Sequence, residues 1–321
     1  MPSSTQAVHV DAALTQISVD FSNDKLGGYV SEGVFPVVNV KNASDFAFYM
    51  SKQKLRRYNT VIGPGADFPR LSLEYDKRLW YFADGHGVEV AIPDQIRANA
   101  DPAAQLDIQS TRLATETVLV DQEYNLAQGI LGTAALLSAN GITYVTLSGT
   151  NQWSSGNTSD PLVDVENAKI TVANQAAVYP NAMVISDAVY IALRTHPRIR
   201  EYFKYPGQAM KPLSVDQLRE YFGLEYMFVG APRYQTAADG AADALAPIWG
   251  KNAVLFYRPA NPGLMEPSFG YTFLWTGQGF GQLVARYREQ WKVQDVLQCQ
   301  KYYSQTIVTA GAAYAWLNAS A

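Results

Sequence analysis

The sequence predicts an α+β protein whose parts do not all pack on one body. Three observations carry this. Capped helices alternate with short strands between about 160 and 258. One rod-like helix lies near 99–131. Two alternating, strand-forming stretches, 45–82 and 283–300, are long and carry a polar side.

Residues 1–30 have no periodic apolar face, which leaves two readings: a disordered tail, or an arm that orders on a neighbouring subunit. GVFPVVNV (33–40) is β-rich, with Pro36 near its start as on a sheet edge. In DFAFYMSKQKLRRYNT (45–60) the even positions change from Phe46, Phe48 and Met50 to Lys52, Lys54 and Arg56. One face is therefore apolar near the base and basic further out. A Gly/Pro turn, NTVIGPGAD (59–67), leads to RLSLEYDKRLWYF (70–82), where Leu71, Leu73 and Tyr75 alternate with Arg70, Ser72, Glu74 and Asp76. The two runs predict a long β-hairpin. A lone two-stranded hairpin is marginal in water, so this one must lie on something. Its basic outer half, Lys52, Lys54, Arg56 and Arg57, has two readings: a solvated hairpin tip, or a docking surface for acidic groups on an adjacent subunit.

NADPAAQLDIQSTRLATETVLVDQEYNLAQGIL (99–131) predicts one long helix, with Asp101 as N-cap and Pro102 as first helical residue. Leu106, Leu113, Val120 and Ala127 recur at sevenfold spacing, with Thr117 and Tyr124 between them, opposite Gln109, Arg112, Glu116 and Glu123. At about 1.5 Å per residue the rod is on the order of 40 Å long. After a loop at 150–160, Asp160 and Pro161 open a second helix to about 178. NAMVIS (181–186) reads as a buried strand, DAVYIALRTH (187–196) as a helix, and SVDQLREYFG (214–223) as a helix capped by Ser214 and stopped by Gly223. EYMFVGA (225–231) and GKNAVLFYR (250–258) complete an α/β unit. In LVARYREQWKVQDVLQCQ (283–300), Leu283, Ala285, Tyr287, Trp291, Val293, Leu297 and Cys299 alternate with Arg286, Arg288, Gln290, Lys292, Gln294, Gln298 and Gln300. This predicts one very long strand with a dry face and a wet, rather basic face.

Composition narrows the function. A hydrophobic content of 48% and a charged content of 17% over 321 residues suit an ordered protein with a sizeable core. The 20 tyrosines and 6 tryptophans hint at extensive interfaces. A net charge of −4 argues against a strong nucleic-acid binder. Cys299, the single cysteine, rules out an intrachain disulfide and a cysteine-rich zinc site, and fits synthesis in a reducing compartment. The N-terminus lacks the pattern of a signal peptide, and the most apolar window, 129–145, is too broken to span a membrane. The sequons at Asn42, Asn157 and Asn318 are read as chance.

Catalytic signatures are missing. His9, His86 and His196 have no ligand at metal spacing, and His196 falls at a helix C-terminus, where a cation suits the dipole. GQGFG (277–281) leads into a strand rather than a helix, so it reads as a turn and not a dinucleotide loop. No carboxylate pair stands out, and Cys299 on an apolar face reads as a buried, inert thiol. A free arm, an unsupported hairpin, a rod and a compact insert without catalytic residues describe an assembly subunit.

Five stretches then carry a resemblance: HVDAALTQISVDFSN (9–23) followed by VFPVVNVKNASDFAFY (34–49), IPDQIRANAD (92–101), YPNAMVISDAVYIALRTHPRI (179–199) and NPGLMEPSFGYTFLWTG (261–277). In order and spacing, over nearly the whole chain, they resemble the major capsid proteins of tailed bacteriophages, which share the Hong Kong 97-like fold. The resemblance implies an N-terminal arm with its lead-in strand (1–40) and an extended loop lying over a neighbour (41–88). It implies a peripheral domain (89–180) with a spine helix at about 102–131, an axial domain (181–283), and a return to the peripheral domain (284–321). The implied product is a virion shell of hexamers and pentamers, assembled in the host cytoplasm. It would enclose double-stranded DNA without sequence-specific binding, with no cofactor and no membrane. A portal, a separate scaffolding protein and a cement or decoration protein are the implied partners; the scaffold is separate because this chain starts almost directly with the arm. The subunit-interface candidates are Lys52, Lys54, Arg56, Arg57, Tyr58, Arg70, Glu74 and Asp76. No Lys, Asn and Glu align with the trio that one member uses for isopeptide cross-links, so that chemistry is not carried over. Two alternatives stand beside this one. An encapsulin-like nanocompartment shell protein is disfavoured by the well-developed arm, and a soluble enzyme with an unrecognised site by the absence of clustered catalytic residues.

Overall fold

Alternation in the sequence becomes two separate sheets in the computed structural model. It describes residues 9–10, 14–15, 28–49, 57, 60–63, 65, 67–68, 70, 77–99, 103–156, 158–203, 212–238, 240–263, 266–277 and 281–321. The first half runs β1 (His9–Val10), α1 (Ser31–Val34), β2 (Val37–Val40), β3 (Ser44–Tyr49), β4 (Lys77–Phe82), β5 (Asp84–Pro93), α2 (Asp94–Asn99), α3 (Ala103–Leu131), α4 (Ala134–Ala139) and β6 (Thr143–Thr146). The second half runs α5 (Pro161–Ala176), β7 (Ala182–Ser186), α6 (Asp187–Thr195), α7 (Pro197–Tyr202), α8 (Val215–Tyr221), β8 (Tyr226–Gly230), β9 (Arg233–Gln235), β10 (Leu245–Pro247), β11 (Ala253–Phe256), β12 (Gly270–Trp275), β13 (Gln282–Glu289), β14 (Gln294–Ile307) and β15 (Ala313–Leu317).

One sheet has five strands in the order β6-β15-β11-β7-β8. Its central strands are buried on both faces, which is why they read as apolar runs rather than alternating ones. Met183, Ile185 and Leu255 pack under Val165, Val189, Leu193 and Leu218. Val184, Val254 and Phe256 pack on the other side against Leu126, Ile130 and Phe269. The helices begin where their caps dictate. Asp160 accepts from Val163 N ahead of Pro161, Ser186 from Val189 N, and Ser214 forms a reciprocal capping box with Gln217. Gly223, at φ 60°, ends the stretch after α8.

The other sheet follows the path β1-β13-β14-β12-β2, with β5 on the free side of β14. The 14-residue β14 is its backbone. It pairs with β13 over its first half and with β12 over its second. Helix α3 crosses the face formed by Ile92, Val284, Leu297 and Cys299, against Ala114. The boundaries expected at 180/181 and 283/284 cut across both sheets. Strands β6 and β15 join the five-stranded sheet from outside 181–283, and β12 leaves that segment to join the long sheet.

Four expectations need correction. The stretch 283–300 is not one strand but a hairpin, β13 and β14, turning at 290–293. Glu289 pairs with Gln294, so the faces exchange parity across the turn. Leu297 and Cys299 share a face with Val284, Arg286 and Arg288; Leu283, Ala285 and Tyr287 share theirs with Gln300, Gln298 and Val296. In α3 the expected seam fails at Leu113, which is 59% exposed. The buried stripe is Thr111, Ala114, Thr115, Val118, Leu119, Gln122, Glu123, Leu126, Ala127 and Ile130, which follows the 3.6-residue turn rather than a strict sevenfold repeat. The run 33–40 is strand only from Val37; before it, Val34 N and Phe35 N close a helical turn onto Val30 O and Ser31 O. His196 is no dipole-stabilising cation. Burial, and then Arg198, hold it below the ordinary histidine range, and its Nε2 lies 3.2 Å from Ser159 Oγ.

Close packing is sharp at Gly270, where a Cβ would lie 2.3 Å from the Phe35 ring. That ring stands edge-on to Phe269 with centroids 5.3 Å apart. Gly270→Ala should therefore cost about 1–3 kcal/mol by overpacking, read as a lowered midpoint in urea melts of the subunit.

Candidate assembly surfaces

Strands β3 and β4 form a ribbon of their own, with Phe46 opposite Trp80, Asp45 opposite Tyr81 and Ala47 opposite Leu79. One face lies on the body: Tyr81, 4% exposed, stacks on Phe273 at 4.4 Å beside Val40 and Tyr271, with Leu79 packed against them. The other face is open. Phe46 meets Trp80 edge-on at 5.2 Å, and Trp80 and Phe82 remain 56% and 52% exposed. In the sequence the apolar residues near the base of the first strand, Phe46 and Phe48, fall on the even positions. The contact with the body comes instead from Tyr81 and Leu79 on the odd positions.

Of the interface candidates, Arg57 and Arg70 are described and both are exposed. Lys52, Lys54, Arg56, Tyr58, Glu74 and Asp76 lie outside the described residues, as do Phe48 and Met50 in their side chains and the cap Asp101–Pro102. The rest of the tail, 1–8, 11–13 and 16–27, lies outside them too.

The basic face expected near 286–292 is internally neutralised. Arg288 reaches Asp94 at 2.5 Å and Asp295 at 3.1 Å, Arg286 reaches Asp295 at 2.7 Å, and Arg97 reaches Asp107 at 2.8 Å. The Arg288 bond holds Asp94 well below the usual carboxylate range. Burial alone would raise Asp295, but Arg286 and Arg288 bring it down. The clamp ties α2, the start of α3 and the β13–β14 hairpin together, so these charges serve the subunit rather than a partner.

Sequence reading missed the elbow where the N-terminal segment meets α3. Glu123 is fully buried, and its carboxylate accepts from Val30 N, from Ser31 N at 2.7 Å and from Trp249 Nε1 at 2.5 Å. Beside it, Lys301 Nζ donates to Glu32 at 3.0 Å and to Gln122 Oε1 at 2.9 Å. Only a carboxylate offers acceptors on both oxygens to converging donors. Burial, then Glu116 and Glu123, push the Tyr29 phenol up to about 12. No signal in the sequence marks Glu123, since an isolated Glu on a helix is ordinarily solvated.

Among the described residues no group of three or more His, Cys, Asp and Glu is placed to hold a metal, and no helix is long and apolar enough to cross a membrane. Cys299 is buried, 3.9 Å from Thr115 Oγ.

Comparison with known proteins points one way. A family model described as phage major capsid protein E matches residues 133–267. A major capsid protein of Burkholderia phage BcepMu is 28% identical over 273 residues, 82% of each chain. Among solved structures, a phage-related protein from Bordetella bronchiseptica RB50 is 26% identical, with a TM-score of 0.74 over 98% of both chains. A virus-like particle from Pyrococcus furiosus shares the fold at 15% identity, with a TM-score of 0.57 over 94% of this chain and 97% of that one.

Proposed function

We propose that this chain is a phage major capsid protein with the Hong Kong 97-like fold rather than an enzyme, a reading supported by its likeness to phage capsid proteins, and that it assembles as hexamers and pentamers into an icosahedral head shell around double-stranded DNA. The observation that carries the reading is the ribbon base. It clamps one face on its own body and leaves Phe46, Trp80 and Phe82 facing out. An aromatic patch of this kind on a projecting element is what a neighbouring copy would cover. The basic run at Lys52, Lys54, Arg56 and Arg57, with Tyr58, Arg70, Glu74 and Asp76, would extend the contact onto acidic groups of that copy.

In this reading residues 1–40 are the arm and lead-in strand and 41–88 the loop over the neighbour. Residues 89–180 and 284–321 are the peripheral domain, and 181–283 the axial domain, whose copies meet at capsomer centres. Strands β6 and β15, from the peripheral segments, pair into the five-stranded sheet built around β7, β8 and β11. A net charge of −4 fits a container that encloses DNA without gripping its sequence. A portal, a separate scaffolding protein and a cement protein would complete the particle, which would form in the host cytoplasm.

Reversing charge at Arg56 and Arg57, as R56E/R57E, should leave the subunit melting as the wild type does while cutting shell yield at least tenfold by sedimentation and electron microscopy. Shells of normal yield and stability from that variant would sink docking by the basic run.

A further inference from the structure

Three local costs stand out in this chain. The first is Gly129. It lies in the last turns of α3, and a Cβ added there would meet no atom within 4 Å. Glycine inside a helix costs about 1 kcal/mol against alanine, yet nothing in the subunit needs the space. The notch opens into a cavity of about 370 Å³ between α3, α4 and the end of β14, floored by Leu126, Ile130, Leu136 and Ile307. The second cost is Trp291, 88% exposed at the turn between β13 and β14. The third is Val293 in the same turn, a β-branched residue at φ 52°, a conformation that stores about 1–3 kcal/mol of strain.

We propose that the hairpin tip seats the Trp291 indole in the Gly129 cavity of a second copy of this chain, an inference that rests on the shell-subunit reading above. The chemistry of the two surfaces matches. None of the cavity's described lining residues is charged, and Lys292 is turned back onto Glu289 at 3.0 Å, so the tip brings in an apolar ring without a free cation beside it. At the cavity rim Asn140 Nδ2 donates to Gly129 O and Gln305 Nε2 to Gln122 O. The oxygens of both side-chain amides remain to accept the indole N–H, the one polar demand a buried tryptophan makes. The cavity falls in the range of roughly 300–1,000 Å³ in which proteins seat small organic groups.

The geometry also rules out a contact within one copy. Strand β14 runs from Gln294 beside the tip to Gln305 on the cavity wall, about 35 Å at about 3.4 Å per residue. No subunit reaches its own cavity. The contact is therefore between copies; in a shell it would be the head-to-tail, heterologous kind that propagates through rings and arrays, whereas a reciprocal pair would stop at a dimer.

The test is a cysteine pair in the assembled protein. Gly129→Cys has open space around it, and the native Cys299 is buried and stays in place. Under mild oxidation, shells of W291C/G129C should give a ladder of covalent multimers on a non-reducing gel, and neither single variant should. Cross-linking by W291C alone would mean that tips meet tips, and would overturn the proposal. Normal shells of the pair with no cross-link would overturn it equally. Gly129→Trp gives a second, independent reading by filling the notch from within: it should fold, bind no tip and lose shells at least tenfold, and normal shells from it would contradict the proposal. Electron microscopy of the wild type reads the underlying claim separately. Wild-type shells with no cross-link remove only the tip contact, whereas a wild type that never forms shells removes both.

Discussion

Replacing Glu123 by alanine should lower the stability of the unassembled subunit by about 3 kcal/mol or more, because each buried donor left without an acceptor costs about 1–3 kcal/mol. Val30 N, Ser31 N and Trp249 Nε1 would all lose theirs. At this chain length that corresponds to roughly 5–10 °C in the melting midpoint. Glu123→Gln keeps the volume but turns an amide N–H₂ toward N–H donors, so it should restore little. The pH dependence separates the two states of the group. Burial raises the Glu123 carboxyl above the usual range, against the pull of the Trp249, Val30 and Ser31 donors. A raised carboxyl contributes stability that is fully present below the unfolded pKa and lost as pH rises through the folded one. Over that window the wild type should lose stability relative to Glu123→Gln, which has no group to titrate at that position. Calorimetry of both proteins across mildly acidic pH checks both points. An alanine variant within 1 kcal/mol of the wild type would show that the elbow is not held by this carboxylate.

The W80S/F82S double variant should have the opposite profile: a subunit as stable as the wild type, and no shells. These side chains are half exposed on the outer face of the ribbon, so removing them takes little from the subunit. Aromatic anchors at interfaces are worth 2 kcal/mol or more each, and every copy in a shell repeats the loss. Tyr81→Ala is the control on the opposite face. It removes a ring stacked on Phe273, and should cost the subunit about 3 kcal/mol. Circular dichroism melts report the subunit, and sedimentation reports the shells. If W80S/F82S assembled normally, the outward aromatic face would have no part in assembly.

The parts that the sequence disclosed depend on local chemistry. Asp160–Pro161 and the Ser214–Gln217 box start helices whatever surrounds them, and 182–185 (AMVI) is an apolar run because both its faces are covered. The turn at 290–293 escaped because it contains no Gly, Pro, Asn or Asp, and apolar–polar alternation continues through it. The ribbon's packed face was unreadable because both faces carry aromatics, and only contact with Phe273 chooses between them. Glu123 was hidden for another reason. Its partners lie 92 residues or more away, and a single charged residue on a helix gives no hint of them. Of the candidate site, the sequence offered the basic run and the ribbon as a whole. It did not offer the outward Trp80–Phe82 face, the exposed Trp291 or the notch at Gly129.

The central claim is that this polypeptide completes itself only on its sisters, in a closed container. Electron microscopy of the purified chain, expressed with its neighbouring genes, tests that most directly. The expected image is a closed icosahedral particle with each ribbon at 41–88 lying across the adjacent subunit. A monomer on sizing, its ribbon folded back on its own body around a catalytic cleft, would contradict the account.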